Sequence, residues 1–245
     1  MTVSTTTSRG FTLVELAISI FIIALLLGSI LVPLTTQVEQ RQISETQKTM
    51  DDIRDALIGF AVANGRLPCP DVQTVTPGAT PNDGIEDVVA NRCPNLVSVG
   101  ANNIVSGNLP WSTLGMASQD LWGNRFRYAV VENFARSDTL FTFATTAVLR
   151  VCPTAATCLA APLTSTAVAV IISHGNNGQG AINATTNAVN LPLPTAADEL
   201  ENTNNNRDAV SRVKSNVAAT EFDDVVVWLP RFTLLNRMVA AGKLP

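Results

Sequence analysis

The sequence has one histidine, His174, and it directly follows Ser173. A serine and a histidine are two members of a nucleophilic triad. Neighbours in a strand point to opposite faces, so a strand reaching both residues keeps them from pairing as nucleophile and base. Asp223 and Asp224 stand at the opening of an expected strand, and the same alternation separates their carboxylates, unlike the paired carboxyls of a glycosidase. Residues 172–181, ISHGNNGQGA, have the glycines of a phosphate cradle. They lack the Gly-Lys-Ser/Thr ending, and no helix pattern follows, which argues against a nucleotide site. Residues 82–87, NDGIED, are acidic but not spaced as an EF-hand loop, and read as a solvated turn. None of these spacings predicts a catalytic centre, and the chain is expected not to be an enzyme.

The four cysteines, Cys69, Cys93, Cys152 and Cys158, all lie beyond an apolar N-terminal run. No C-x₂-C pair occurs and only one histidine is available, which disfavours zinc. An even set suits two disulfides on an oxidising side of a membrane. Four cysteines allow three pairings, among which the sequence does not decide. Closeness along the chain favours Cys69–Cys93 and Cys152–Cys158.

The remaining chemical oddity is Glu15. Residues 11–32 are apolar apart from this one ionisable side chain. As a helix this run would be about 33 Å long, enough for a bilayer core of about 30 Å. A charge near the centre of such a segment costs about 2.5–3.5 kcal/mol on insertion scales. The run exceeds a secretory h-region and ends in Pro33-Leu34-Thr35-Thr36, without a small-residue cleavage site. The lone cation ahead of it, Arg9, predicts a cytoplasmic N-terminus and an outward-facing remainder.

The stretch Arg9-Gly10-Phe11-Thr12-Leu13-Val14-Glu15, followed by the apolar run, resembles the type IV pilin and type II secretion pseudopilin family. The resemblance implies cleavage between Gly10 and Phe11 by prepilin peptidase, and N-methylation of the new terminus at Phe11. It implies polymerisation through the helix, with other pilin or pseudopilin subunits and an inner-membrane assembly platform as partners. Gly10 has no Cβ and admits a protease close to the backbone. The amine freed at Phe11 is largely protonated at neutral pH, with a reference pKa of about 7.7–8. If helices stack with a small stagger, the amine of one subunit meets Glu15 of the next, and each buried charge gains a partner. The sequence departs from the family's helix: Ala24 replaces a usual glycine, Gly28 follows four residues later, and Pro33 stands one residue late.

Residues 120–128, DLWGNRFRY, resemble the Asp-Pro-Trp-Gly-Asn-Pro-Tyr-x-Tyr stretch of major pseudopilins, with Trp122 expected to anchor the loop on the helix. Residues 173–178, with residues 201–204, resemble the C-terminal loop of major pseudopilins, which holds calcium in those relatives. Both aligned aspartates are asparagines here, Asn177 and Asn204. With Asp208 in compensation they are weak calcium candidates; no other cofactor is expected.

The elements that position these residues follow from periodicity. Good helix formers run from residue 37 to 63, and Ile43, Met50, Ile53, Leu57 and Phe60 recur as one stripe. Asn64-Gly65 and Pro68 give a stop, predicting one helix of about 50 residues. Residues 66–125 read as a long loop, with a short helix near 86–90. Strands are expected after residue 125 and at 139–144, 148–152, 167–173 and 225–229, a Gly/Asn-rich loop at 175–206, and a closing helix at 232–241. The fold class is α+β and pilin-like: a long N-terminal membrane-spanning helix packed on an antiparallel β-sheet domain. The divisions are a leader at 1–10, a transmembrane and assembly helix at 11–33, its amphipathic continuation at 34–65, and a globular domain at 66–245. With 46% hydrophobic and 15% charged residues the globular part can bury a core. A net charge of −4 without Lys/Arg runs argues against nucleic acid. The expected function is a prepilin-like structural subunit. The subunit starts as a single-pass inner-membrane protein with its globular domain in the periplasm, and then enters a periplasmic or extracellular filament. The alternatives are a membrane-tethered binding domain that does not polymerise, and a tethered hydrolase.

Overall fold

The computed structural model describes residues 10–100 and 102–244, without the side chains of residues 27–36 and 218. The leader expected at residues 1–10 lies outside the described residues except for Gly10. The chain divides into two units, residues 1–42 and 43–245. Helix α1, Leu13–Asn64, carries that division and is the single long helix that periodicity predicts.

In the first unit, the described apolar side chains of α1 are exposed on every side, including Leu13, Ile18 and Phe21. Among the described residues no helix is long and apolar enough to cross a membrane. Their side chains stop at Leu26 and resume at Gln37, so part of the apolar run lies outside the described residues.

In the second unit, α1 turns one stripe inward. Met50, Ile53, Leu57 and Ala61 are fully buried, one helical face at steps of 3 and 4. They join a core with Phe126, Tyr128, Val130, Phe134, Val168, Val170 and Ile171. Gly65 then takes φ +76°, the left-handed stop that residues 64–65 announce.

The sheet has seven strands, β1 (Val97–Val99), β2 (Asn102–Asn108), β3 (Arg127–Val131), β4 (Leu149–Cys152), β5 (Thr164–Ser173), β6 (Asp208–Val210) and β7 (Val225–Pro230). β5 is central because residues 167–172 are apolar without alternation and are buried on both faces. β3 lies on one edge of it (Tyr128 opposite Ile171) and β7 on the other (Val227 opposite Ile171). β2 pairs β3, β1 pairs β2, and β4 pairs the start of β5. These pairs are antiparallel. The expectation of a purely antiparallel sheet fails at β4–β6, which is parallel. The chain between β4 and β6 is long enough for the crossover that a parallel pair requires.

Four further expectations are corrected. Residues 139–144 form no strand: Thr145 Oγ1 accepts from the Thr142 amide and Thr142 Oγ1 from the Ala144 amide, so hydroxyls replace ladder bonds there. Residues 86–90 are not helical, because Glu86 and Asp87 reach across to Arg66 and the Val72 amide. The stretch 66–125 is not all loop. It contains β1, β2 and a one-turn helix α2 (Trp111–Leu114). Helix α3 (Ala197–Thr203) lies in the expected loop 175–206, and α4 (Arg231–Ala240) closes the chain with Leu234, Leu235 and Met238 buried.

Disulfides join Cys69 to Cys93 and Cys152 to Cys158, the pairs favoured by sequence proximity.

Candidate functional site

Two places hold the residues with chemical promise. The first is the start of α1. Gly10 is exposed, and a Cβ added there would meet no atom within 4 Å. Phe11 is 85% exposed, so the backbone on both sides of the Gly10–Phe11 bond is open to an enzyme. Glu15 does not stand idle. Its Oε2 accepts from the Thr12 amide at 2.9 Å and from Thr12 Oγ1 at 2.8 Å, and the Glu15 amide donates to Thr12 Oγ1 at 3.3 Å. This is a capping box, with Thr12 at the N-cap and Glu15 three residues on. The Thr-x-x-Glu spacing is its sequence signal, and a reading of Glu15 as an assembly residue alone leaves it out.

The second place lies where the end of β5, the loop after it, α3 and the entry to β7 meet. Gly175 takes φ +59°, and a Cβ there would lie 2.3 Å from the Asp223 carbonyl oxygen, so only glycine allows this approach. Ser173 and His174 are buried and turn to different partners. Ser173 Oγ donates to Asp120 Oδ2 at 2.7 Å, while His174 Nδ1 lies 3.5 Å from Asp224 Oδ1. The expectation that they do not form a nucleophile–base pair agrees with this geometry. Asp120 organises the 120–124 turn: its Oδ1 accepts from the amides of Trp122 and Asn124. Trp122 is half-buried and its Nε1 has no hydrogen-bond partner.

Asp223 and Asp224 were expected on opposite faces. They precede β7, which begins at Val225, so strand alternation does not apply to them. Their carboxylates and that of Glu199 on α3 each place one oxygen within 4.8 Å of the others. Glu199 Oε1 accepts from the Asp223 amide at 2.9 Å, and Asp223 Oδ2 accepts from the Asn177 amide at 2.8 Å. Asn177 Nδ2 donates to both Glu199 oxygens at 3.2 Å. Asn202, one turn along α3, donates to Asp224 Oδ2 at 2.7 Å and clasps Val210 through its amide and carbonyl. Burial pushes the Asp223 carboxyl up to about 7, with Asp224 and Glu199 adding repulsion. Burial also raises the Glu199 carboxyl. The Arg127 guanidinium, fully desolvated and brought down to about 10, feels the charge of Asp224. Its Nη2 spends its hydrogen bonds on Ser106 Oγ, the Asn204 carbonyl and Asn205 Oδ1.

The family model for the prokaryotic N-terminal methylation motif matches residues 6–31. The chain carries the hallmark motif of the type IV pilin and pseudopilin family. Neither the curated proteins nor the solved structures include a match. The motif covers Gly10, Phe11, Thr12 and Glu15, so the first place is the one the comparison touches.

The three calcium candidates taken from sequence have separate partners. Asn177 reaches the carboxylate cluster, Asn204 Nδ2 donates to Glu201 Oε2, and Asp208 forms a two-point ion pair with Arg150. The oxygen-rich cluster is built instead on Glu199, Asp223 and Asp224. The acidic turn at 82–87 is also not merely solvated. Asp87 is buried and accepts from the amides of Val72 and Thr80, while buried Asp71 accepts from those of Asn82 and Gly84.

Proposed function

We propose that this chain is a prepilin-like structural subunit, cleaved between Gly10 and Phe11, N-methylated at Phe11, and polymerised through the start of α1 into a type IV pilus or type II secretion pseudopilus. The carrying observation is the methylation motif at residues 6–31, set on an exposed Gly10–Phe11 bond at the head of a long helix. Its partners are prepilin peptidase, further pilin-type subunits and an inner-membrane assembly platform. Before assembly it sits in the inner membrane with the domain of residues 43–245 outside.

The exposed apolar side chains from Phe11 to Leu26 supply the surface that lipid covers first and neighbouring helices cover later. In a filament, Glu15 meets the Phe11 amine of an adjacent subunit. Ser173 is held by Asp120, and His174 Nδ1 lies 3.5 Å from Asp224 Oδ1 rather than beside a serine.

The test is the mass of the N-terminus in protein from its native host. A terminus at N-methylated Phe11 is expected. Residues 1–10 retained in every molecule would refute the reading and leave a tethered domain that does not polymerise.

A further inference from the structure

We propose that the open edge of β7 pairs with the open edge of β1 in a second copy of this chain, so that the sheets of successive subunits run on as one. This contact rests on the filament reading above. It lies between globular domains, apart from the start of α1.

The sheet has two end strands that pair on one side only, β1 with β2 and β7 with β5. Every second residue of such a strand turns its N–H and C=O outward, a template for another chain. Among the described residues, residues 97–99 and 225–229 make no backbone hydrogen bond beyond these pairings. The sheet's third end, β6 beside β4, is closed: Asn202 Nδ2 donates to the Val210 carbonyl, and the Val210 amide donates to Asn202 Oδ1. Charged side chains commonly blunt an edge strand. β6 has Asp208, whereas Val97–Val99 and Val225–Leu229 carry no charge.

Beside β7 lies a groove of about 500 Å³. Val226, Val227 and Trp228 all line it. Consecutive strand residues point to opposite faces, so a groove that touches all three follows the edge of the strand and not one face. Its other walls are α1, with Asp51, Arg54 and Asp55, and α4, with Arg237. Asp51 pairs with Arg54 at 3.0 Å, and Asp55 and Arg237 are one charge of each sign, so the lining is neutral in sum. A slot of this kind matches a segment that brings no charge into it, because an unpaired charge taken out of water is costly. Residues 93–119, which hold β1 and β2, contain no Asp, Glu, Lys or Arg. Entry of β6 would bring Arg207 and Asp208 into the slot.

Symmetry gives the contact its use. β1 and β7 are different surfaces, so each copy offers one and accepts the other. Such a heterologous contact repeats into an open chain, whereas β7 pairing with β7 would close at two copies. Val97 and Val99 pack against the core of their own domain while Ser98 is exposed, so β1 is held extended before a partner arrives.

The experiment uses the full chain in its native host, with sheared filaments and the membrane fraction both treated with a bismaleimide crosslinker. All native cysteines are in disulfides, so only introduced thiols react. Ser98→Cys combined with Val225→Cys should give a ladder of dimers, trimers and larger species, at least tenfold above either single variant. Thr233→Cys, exposed on the α4 wall of the groove, takes the place of Val225→Cys if that variant fails to fold. Ser98→Cys with Ser211→Cys, just past the closed β6, should give no ladder. Absence of a ladder from both the Ser98/Val225 and Ser98/Thr233 pairs overturns the proposal. So do dimers from Val225→Cys alone, which would mean β7 pairing with itself. The filament reading fails separately, through residues 1–10 retained in every molecule; processed filaments without a ladder would keep that reading and reject the edge contact.

Discussion

Glu15 has a local role in the single chain and a proposed role between chains, and one substitution separates them. Glu15→Gln removes the charge but keeps an oxygen that accepts from the Thr12 amide at the present 2.9 Å, since glutamine also closes a capping box. The helix start should therefore lose only a few tenths of a kcal/mol. Glu15→Ala loses both roles, and Thr12→Ala loses the cap alone, about 0.5–2 kcal/mol. The intermolecular pair is larger. Removing one partner of a buried ion pair costs about 3–5 kcal/mol, because the other charge stays buried and unpaired. At about 1.4 kcal/mol per decade this is a loss of roughly two to four decades in the subunit association constant. The assay is filament yield from the native host, by shearing, sedimentation and electron microscopy, with membrane-bound subunit measured by immunoblot. Filaments should vanish in Glu15→Gln and Glu15→Ala and persist in Thr12→Ala, with subunit levels similar in all three. Wild-type filament yield in Glu15→Gln would refute the pairing argument. Loss in Thr12→Ala equal to that in Glu15→Ala would assign the effect to the cap.

Other consequences are measurable on the folded domain. The two disulfides close loops of about 25 and about 7 residues, so serine pairs at Cys69/Cys93 and Cys152/Cys158 should cost about 3.5 and about 2.4 kcal/mol by denaturant unfolding; equal costs would count against the loop-entropy account. Leu57, fully buried on the inner stripe of α1, should cost about 2–5 kcal/mol as Leu57→Ala, whereas exposed Asp52→Ala should fall within about 0.5 kcal/mol. Burial pushes the Asp71 carboxyl up to about 7 against the two amides that bond it. A carboxyl raised above its unfolded value stabilises the fold fully below about pH 4, and that contribution is lost as pH rises through 7. At about 1.4 kcal/mol per unit the ceiling is about 4 kcal/mol, and solvent screening brings it to about 1–2. Asp71→Asn should flatten this part of the pH–stability curve, and an unchanged slope would reject Asp71 as its source.

What the sequence made legible is what short-range periodicity controls. Met50, Ile53 and Leu57 recur at helical steps, Asn64-Gly65 stops α1, and the apolar run 167–172 suits a central strand. The strand β2 was hidden because its sequence, NNIVSGN, is mostly turn residues. It is extended because Ile104 and Val105 are buried and Asn108 pairs by backbone with Asp71, a partner 37 positions earlier. Tertiary pairing overrides a weak local preference there. Helix α3 was hidden for the same reason: Glu199 and Asn202 look like solvated loop polars until Asp223, Asp224 and Val210 are in place to use them.

The carboxylate cluster shows how a linear motif and the folded chain can gather different residues. By linear likeness to the family loop, residues 173–178 and 201–204 point to Asn177, Asn204 and Asp208. Arg150 takes Asp208 through two hydrogen bonds, because parallel pairing of β4 and β6 sets the two residues side by side. The backbone after Ser215 instead brings residues 223–224 against Gly175, where the missing Cβ leaves room for the Asp223 carbonyl. Glu199 and Asp223 stand 24 positions apart, and the spacing of their side chains depends on a helix, a glycine turn and a strand entry at once. Strand alternation would have sent Asp223 and Asp224 to opposite faces; β7 begins only at Val225, just after them, and this is what lets both carboxylates face Glu199.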